Sequence, residues 1–151
     1  MKEMIIQKIT DPKDLDVLRN KKADFGELIF NFSDSYINQL KKMLLKDSSL
    51  QLVARKEKVF AGYIASIVSE RWLKHIEILE LFIDPNFQGK GVGTKLVNEV
   101  INYARGLSFD GVIVQTEKEN IPAQKLYEKL GFIVIDNPEW QEGITYQLSL
   151  D

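Results

Sequence analysis

Hydrophobic and polar positions along the chain fall into blocks of helical and strand period, and the blocks predict a strand, two helices, three strands, a helix, a strand, a helix and two strands. Met4 to Ile9 is apolar and β-branched and is ended by Thr10-Asp11-Pro12, which predicts a first strand. Asp14 to Ala23 carries Leu15, Val17, Leu18 and Ala23 in an imperfect helical stripe. Asp24 to Phe32 gathers Phe25, Leu28, Ile29, Phe30 and Phe32 around one glycine, which reads as a core plug between two helices more than as a substrate wall. Ser33 is a natural N-cap for a helix running to about Lys46, with Tyr36, Ile37, Leu40, Met43 and Leu44 on one side.

Three strands follow, at Leu50 to Arg55, Val59 to Glu70 and Lys74 to Asp84, the first two joined by the short polar turn Lys56-Glu57-Lys58. The third ends at Pro85 and feeds a turn containing Gly89, Gly91 and Gly93, after which Thr94 to Arg105 reads as a helix closed by Gly106. Asp110 to Gln115 is a short, almost wholly apolar strand, as expected in a sheet covered on both faces. Asn120 can cap a helix that tolerates Pro122 in its first turn and runs to Lys129 before Gly131. Phe132 to Ile135 and Ile144 to Leu150 are the last strands, separated by a loop bearing Asp136, Glu139 and Glu142. This order predicts a mixed α/β sandwich around one sheet.

A strand that feeds a glycine turn opening a helix is suited to holding phosphate. The first helical turn leaves backbone N–H groups unpaired, the helix dipole adds partial positive charge, and glycine removes obstructing side chains. A P-loop needs G-x-x-x-x-G-K-[ST], which is missing here, and a dinucleotide turn needs G-x-G-x-x-G after the first strand of a βαβ unit, whereas these glycines run G-x-G-x-G after about four strands. Gln88-x-x-Gly91-x-Gly93 is what remains.

Composition narrows the function without naming it. A chain of 151 residues has room for one domain with a real core. A net charge of -2 gives no reason to expect nucleic acid as a partner. The absence of cysteine removes a disulfide framework, a thiolate nucleophile and a cysteine-ligated metal, and a single histidine removes a His-rich zinc site. The longest apolar run, Val59 to Val68, is well short of the ~20 residues of a membrane span. Gln7 and Lys8 interrupt the apolar N-terminus, so no signal peptide is expected and the expected location is cytoplasmic, with no membrane partner.

The stretch LFIDPNFQGKGVGTKLV, followed by Asn120-x-x-Ala123-x-x-Leu126-Tyr127-Glu128-Lys129-Leu130-Gly131-Phe132, resembles the GNAT superfamily of acyl-CoA-dependent N-acetyltransferases. The likeness covers the C-terminal half closely and the N-terminal half only in its order of elements. It implies one domain over residues 1–151 with a mixed, mostly antiparallel sheet and about four flanking helices. Residues 1–73 would shape the acceptor site and 74–151 would bind acetyl-CoA as co-substrate, with no metal. By the same resemblance the pyrophosphate of coenzyme A would lie on the turn Gln88, Gly89, Lys90, Gly91, Val92 and Gly93 and on the helix start at Thr94. The pantetheine arm would run along Leu81, Phe82 and Ile83, on a strand that parts from its neighbour, with Asn120 as a further contact. Members of the family commonly form homodimers.

Acetylating an amine requires a base, a stabilised oxyanion and a proton for the departing sulfur. A free backbone N–H near Phe82 or Ile83 suits the oxyanion. Glu77, eleven residues before Gln88, and Glu80, eight before, match positions where branches of the family place a carboxylate base. They differ by three in a strand of period two, so without a bulge they face opposite ways, and at most one is the base. Either can instead be a strand-margin charge paired with Lys74, Arg71 or His75. Tyr127 resembles the family's proton donor, although Ala123, Leu126, Tyr127 and Leu130 also form a stripe that would bury its ring. Gln115, five before Asn120, stands where some members carry a glutamate base. His75 reads as a surface residue at a strand end, Trp72 and Trp140 as packing anchors, and the acidic loop as solvated. With no cysteine to carry an acyl group, transfer is expected to be direct, onto a primary amine of a small molecule, peptide or protein. A longer acyl-CoA as donor, or a coenzyme-A-binding regulatory module without turnover, are the alternatives.

Overall fold

A computed structural model describes residues 3–24 and 29–150. Nine strands and three α-helices follow one another: β1 (Met4–Lys8), β2 (Lys22–Asp24), β3 (Ile29–Asn31), α1 (Asp34–Leu44), β4 (Ser49–Lys56), β5 (Val59–Val68), β6 (His75–Ile83), α2 (Val92–Gly106), β7 (Gly111–Glu117), α3 (Ile121–Lys129), β8 (Ile133–Ile135) and β9 (Gly143–Ser149). Pro12–Leu18 and Pro85–Phe87 form 3-10 helices, so the first predicted helix is tighter and shorter than its stripe suggested. Pro12 near its start and an Asp11 carboxylate accepting from the Lys13 N–H fix that tight first turn.

Seven strands make one sheet in the order β1-β4-β5-β6-β7-β9-β8, and only the β6–β7 pair is parallel. The sheet is therefore mixed and mostly antiparallel, as expected. β4 and β5 turn on Glu57 and Lys58, which both take positive φ (53 and 70), the tight hairpin geometry whose twist matches the flanking strands. Within the segment expected to plug the core, β2 pairs antiparallel with β3, and the residues between them, Phe25 and Leu28 among them, lie outside the described residues. Phe32, just after β3, is buried and meets Phe82 edge-on at 5.3 Å.

Apolar residues on the two sheet faces form two cores. One face carries Leu52, Ile64, Ile76, Ile78, Val112 and Val114 against α2 and α3, including Leu96, Val100 and Tyr127. The other carries Val53, Phe60, Tyr63, Ala65 and Phe82 against α1 and the first 3-10 helix, through Ile37, Leu40, Leu15 and Leu18. Because strand residues alternate, this division also states which way each β6 and β7 side chain points. Among the described residues no helix is long and apolar enough to cross a membrane.

Candidate active site

β6 and β7 run together only from His75–Gly111 to Ile78–Val114 and then separate. Beyond Ile78, β6 keeps β5 on one side as far as Ile83, and β7 keeps β9 as far as Glu117, so a slot opens between them. Asp84 N donates to Ala61 O at 2.9 Å, which fixes the alternation: Phe82 turns its N–H and C=O toward β5, while those of Leu81 and Ile83 face the slot. Of the two N–H groups expected to suit an oxyanion, Ile83 is on the open edge and Phe82 is not. The Leu81 N–H also acts on the Glu80 carboxylate, and the remaining main-chain groups on this edge are costly unless water or a ligand completes the ladder.

A cavity of about 460 Å³ begins at this edge and is lined by Leu81, Phe82, Ile83, Gln88, Gly89, Gly91, Val92, Gly93, Thr94 and Asn120, with Phe87, Pro122, Ala123, Lys125, Leu126 and Lys129. Every residue expected to meet the co-substrate is therefore at one cavity except Lys90, whose ammonium lies 5.6 Å from the Phe87 ring centroid. Gly89 and Gly91 take φ of 74 and 83, and a methyl group added to either would meet nothing within 4 Å, so the turn is an open backbone cradle. Gly91 caps α2 with no side-chain hydrogen bond, and the first backbone bond of the helix is Lys95 N to Gly91 O. The helix thus starts at Val92, two residues earlier than expected, and the N–H groups of Val92, Gly93 and Thr94 are left for a ligand. Asn120 caps α3 by accepting from Ala123 N at 3.2 Å, which leaves its amide nitrogen available at the cavity.

The two candidate bases lie on the same face. Ala65 pairs with Glu80 and Ser66 with Ile78, so Leu79 is an extra residue, a β-bulge that restores the phase between Glu77 and Glu80. Their environments differ. Glu77 accepts from Ser69 Oγ at 2.8 Å and from Arg71 at 3.3 Å; Arg71 also reaches Gln115 at 3.3 Å and Glu139 at 3.6 Å and stacks over Trp72. Ser69 Oγ in turn accepts from the N–H groups of Arg71 and Trp72, so Glu77 and Arg71 tie the β5–β6 turn to β7 and to the acidic loop. Glu80 has no cation beside it among the described residues. It accepts from the Tyr36 hydroxyl at 2.9 Å, and burial pushes its carboxyl up to about 7, opposed by that hydrogen bond and aided by the charge of Glu117.

Tyr127 is 2% exposed, with its ring against Phe132 and Tyr146, and its hydroxyl has no hydrogen-bond partner among the described residues. Burial, then the charges of Glu80 and Glu117, hold it far above the ordinary tyrosine range, so it stays protonated at neutral pH. The ring is core, and the hydroxyl is its polar tip.

His75 is a correction. It is buried, its Nδ1 lies 2.8 Å from Leu73 O and its Nε2 lies 3.0 Å from the Gln147 side-chain amide. Its ring fills the space beside Gly111, where an added Cβ would sit 2.7 Å from Nε2. Trp140 folds over Gly143 in the same anchoring manner. Two residues of the site escaped sequence reasoning. Tyr36 reaches Glu80 from another element, and β7 runs on to Glu117, two residues past its predicted end at Gln115.

A mixed sheet that opens between β6 and β7 beside a glycine cradle has the layout expected of the GNAT fold. Residues 16–132 match the acetyltransferase (GNAT) family, and the chain belongs to it. An uncharacterised N-acetyltransferase of Methanocaldococcus jannaschii is 30% identical over 133 residues, which are 77% of this chain and 58% of that protein. The chain thus spans less than two thirds of that relative's length. A GNAT acetyltransferase from Staphylococcus aureus superimposes with a TM-score of 0.76 at 17% identity, covering 99% of this chain and 100% of the other. The PaiA N-acetyltransferase of Thermoplasma acidophilum, solved with coenzyme A, gives 0.75 at 17% identity over 98% and 99%.

Proposed function

We propose that this chain moves an acetyl group from acetyl-CoA directly to a primary amine, with Glu80 as the base and Tyr127 as the hydrogen-bond donor to the departing sulfur. What supports the reading is the slot between β6 and β7, together with the raised Glu80 carboxyl on the parted strand and the buried Tyr127 hydroxyl on which the charge of Glu80 acts. Residues 1–73 supply Tyr36 and the face that an acceptor would meet, and residues 74–151 supply the co-substrate cavity.

The residues present fit coenzyme A. Gly89, Gly91 and the free N–H groups at the start of α2 suit the pyrophosphate, the N–H and C=O of Leu81 and Ile83 suit the amides of the pantetheine arm, and the Asn120 amide offers one more donor. Acetyl-CoA supplies the thioester whose carbonyl carbon accepts the amine. Glu80 takes a proton from the ammonium, since an amine with a pKa near 10.4 is mostly charged at neutral pH and only the neutral form is a nucleophile. The Ile83 N–H, on the open edge, can donate to the developing oxyanion. As the C–N bond forms and the C–S bond breaks, the nitrogen gives up its second proton, which ends on the departing sulfur as the thiol, while the Tyr127 hydroxyl donates a hydrogen bond to that sulfur. Its raised pKa makes it a poor source of a free proton but a secure donor, because it is never ionised at the working pH.

Glu77 is the weaker candidate because Ser69 and Arg71 already satisfy its carboxylate. Thiol release from acetyl-CoA, measured over a panel of primary amines, tests the reaction. Turnover that Glu80→Gln reduces and Glu77→Gln largely spares is the expected result. Tight acetyl-CoA binding with no turnover on any amine would identify a coenzyme-A-binding module instead, and faster release from a longer acyl-CoA would shift the donor.

A further inference from the structure

Glu117 ends β7 at the mouth of the slot, and the alternation of the strand places it on the acceptor face. Val112 and Val114 point into the core beneath α2 and α3, so Ile113, Gln115 and Glu117 point the other way. Gln115 on that face shares Arg71 with Glu77 of β6, which confirms that the two strands present these side chains to one side. The positive charge of Arg71 is already met by Glu77 and Glu139. Glu117, in contrast, is exposed, and its carboxylate has no ion-pair or hydrogen-bond partner among the described residues.

Two carboxylates therefore stand on the acceptor side of the sheet without a cation among the described residues, Glu80 and Glu117, and the charges of both act on the buried Tyr127 hydroxyl, itself without a partner among those residues. One ammonium does not serve both carboxylates through the reaction. Once Glu80 has taken its proton, the reacting amine is neutral and offers Glu117 no charge. We propose that Glu117 is a specificity residue that holds a second, non-reacting cationic group, so that the acceptor is a diamine or polyamine rather than a monoamine or a zwitterionic amino acid. This rests on the N-acetyltransferase reading above. The groups that face Glu80 from neighbouring elements agree with it: Tyr36 of α1, Tyr63 of β5 and Tyr127 of α3 are all neutral, and the charge of Glu117 acts on Glu80, Tyr36 and Tyr127 alike.

The test compares 1,4-diaminobutane with butylamine as acceptors for the parent protein and for Glu117→Gln, reading thiol release at saturating acetyl-CoA. The expected result is a parent preference for the diamine of about tenfold or more in kcat/KM, collapsed by Glu117→Gln mainly through a higher KM, the size of a lost charge-assisted hydrogen bond. An unchanged diamine-to-monoamine ratio in the variant overturns the proposal. If the parent releases thiol with neither amine, the reaction reading fails separately. Diaminobutane binding is then followed by amide NMR shifts at Glu117 and its strand partner Gly143. Shifts lost in Glu117→Gln support the site, and no shifts in the parent overturn it.

Discussion

The Tyr36 hydroxyl donates a 2.9 Å hydrogen bond to Oε1 of Glu80 across 44 residues of sequence. Ser33 makes this possible by capping α1 through the Tyr36 N–H, which starts the helix with its first aromatic side chain over β6. The tyrosine belongs to the half of the chain expected to shape the acceptor face, and the carboxylate to the strand that borders the cavity beside the glycine turn. Because the bond favours the ionised carboxylate, it opposes the burial that pushes Glu80 up. Tyr36→Phe is therefore expected to move the acidic limb of the kcat/KM profile to higher pH. It should also cost about 1 to 2 kcal/mol of stability. A pH–rate profile unchanged from the parent would separate Tyr36 from the base.

Glu80 itself sets where that limb falls. With its carboxyl at about 7 rather than 4.5, kcat/KM should rise through about pH 7 in the parent, and Glu80→Gln should lose this limb together with roughly 10²-fold in rate. The same shift has a stability consequence of opposite sense. Between 4.5 and about 7 the folded protein retains a proton that the unfolded chain has released, so the contribution of Glu80 to stability falls as pH rises through that window. The total is at most about 3 kcal/mol. Denaturant unfolding at pH 4.5 and pH 8 should show Glu80→Gln gaining on the parent at the higher pH.

Tyr127→Phe removes one oxygen that meets no protein partner among the described residues, so the core packing of the ring survives. Turnover should fall by about 10²-fold while acetyl-CoA affinity, measured by calorimetry, stays near the parent value. Unchanged turnover would reduce the residue to a packing role.

Gly91 holds φ of 83 with open space around it. In Gly91→Ala the added methyl meets nothing, so the penalty is backbone strain of about 1 to 2 kcal/mol together with a narrower approach to the free N–H groups of α2. Acetyl-CoA binding should weaken more than thermal stability falls. At Gly111 the order reverses, because a Cβ there would lie 2.5 Å from Leu148 O and 2.7 Å from His75 Nε2, and Gly111→Ala should lower the melting temperature strongly.

Local chemistry explains what was legible in the sequence. The caps at Ser33 and Asn120, the hairpin at Glu57 and Lys58 and the glycine turn all act within a few residues, and each occurs where its residue types predicted it. The cavity residues were legible for the same reason, being one strand, one turn and two helix starts. His75 was misjudged because its partners, Gln147 and Gly111, come from β9 and β7, and no local pattern announces that a strand-end imidazole will fill the space beside a glycine. The bond between Tyr36 and Glu80 and the phase of Glu77 against Glu80 were likewise invisible, one because it joins distant segments and the other because a bulge has no reliable sequence sign.

That bulge falls immediately after Ile78, the last β6 residue paired with β7. Leu79 is the one residue of its stretch that lacks a partner on β5, so deleting it leaves Ile78, Glu80, Leu81 and Phe82 opposite the residues they already face. What disappears is the local bend, and a straightened β6 would be free to go on pairing with β7 past Val114. The shortened chain should fold with its cores intact and have lost the opening, so that its melting curve no longer responds to coenzyme A. An inert sheet and a reactive one would then differ by one insertion, with every chemically competent side chain present in both.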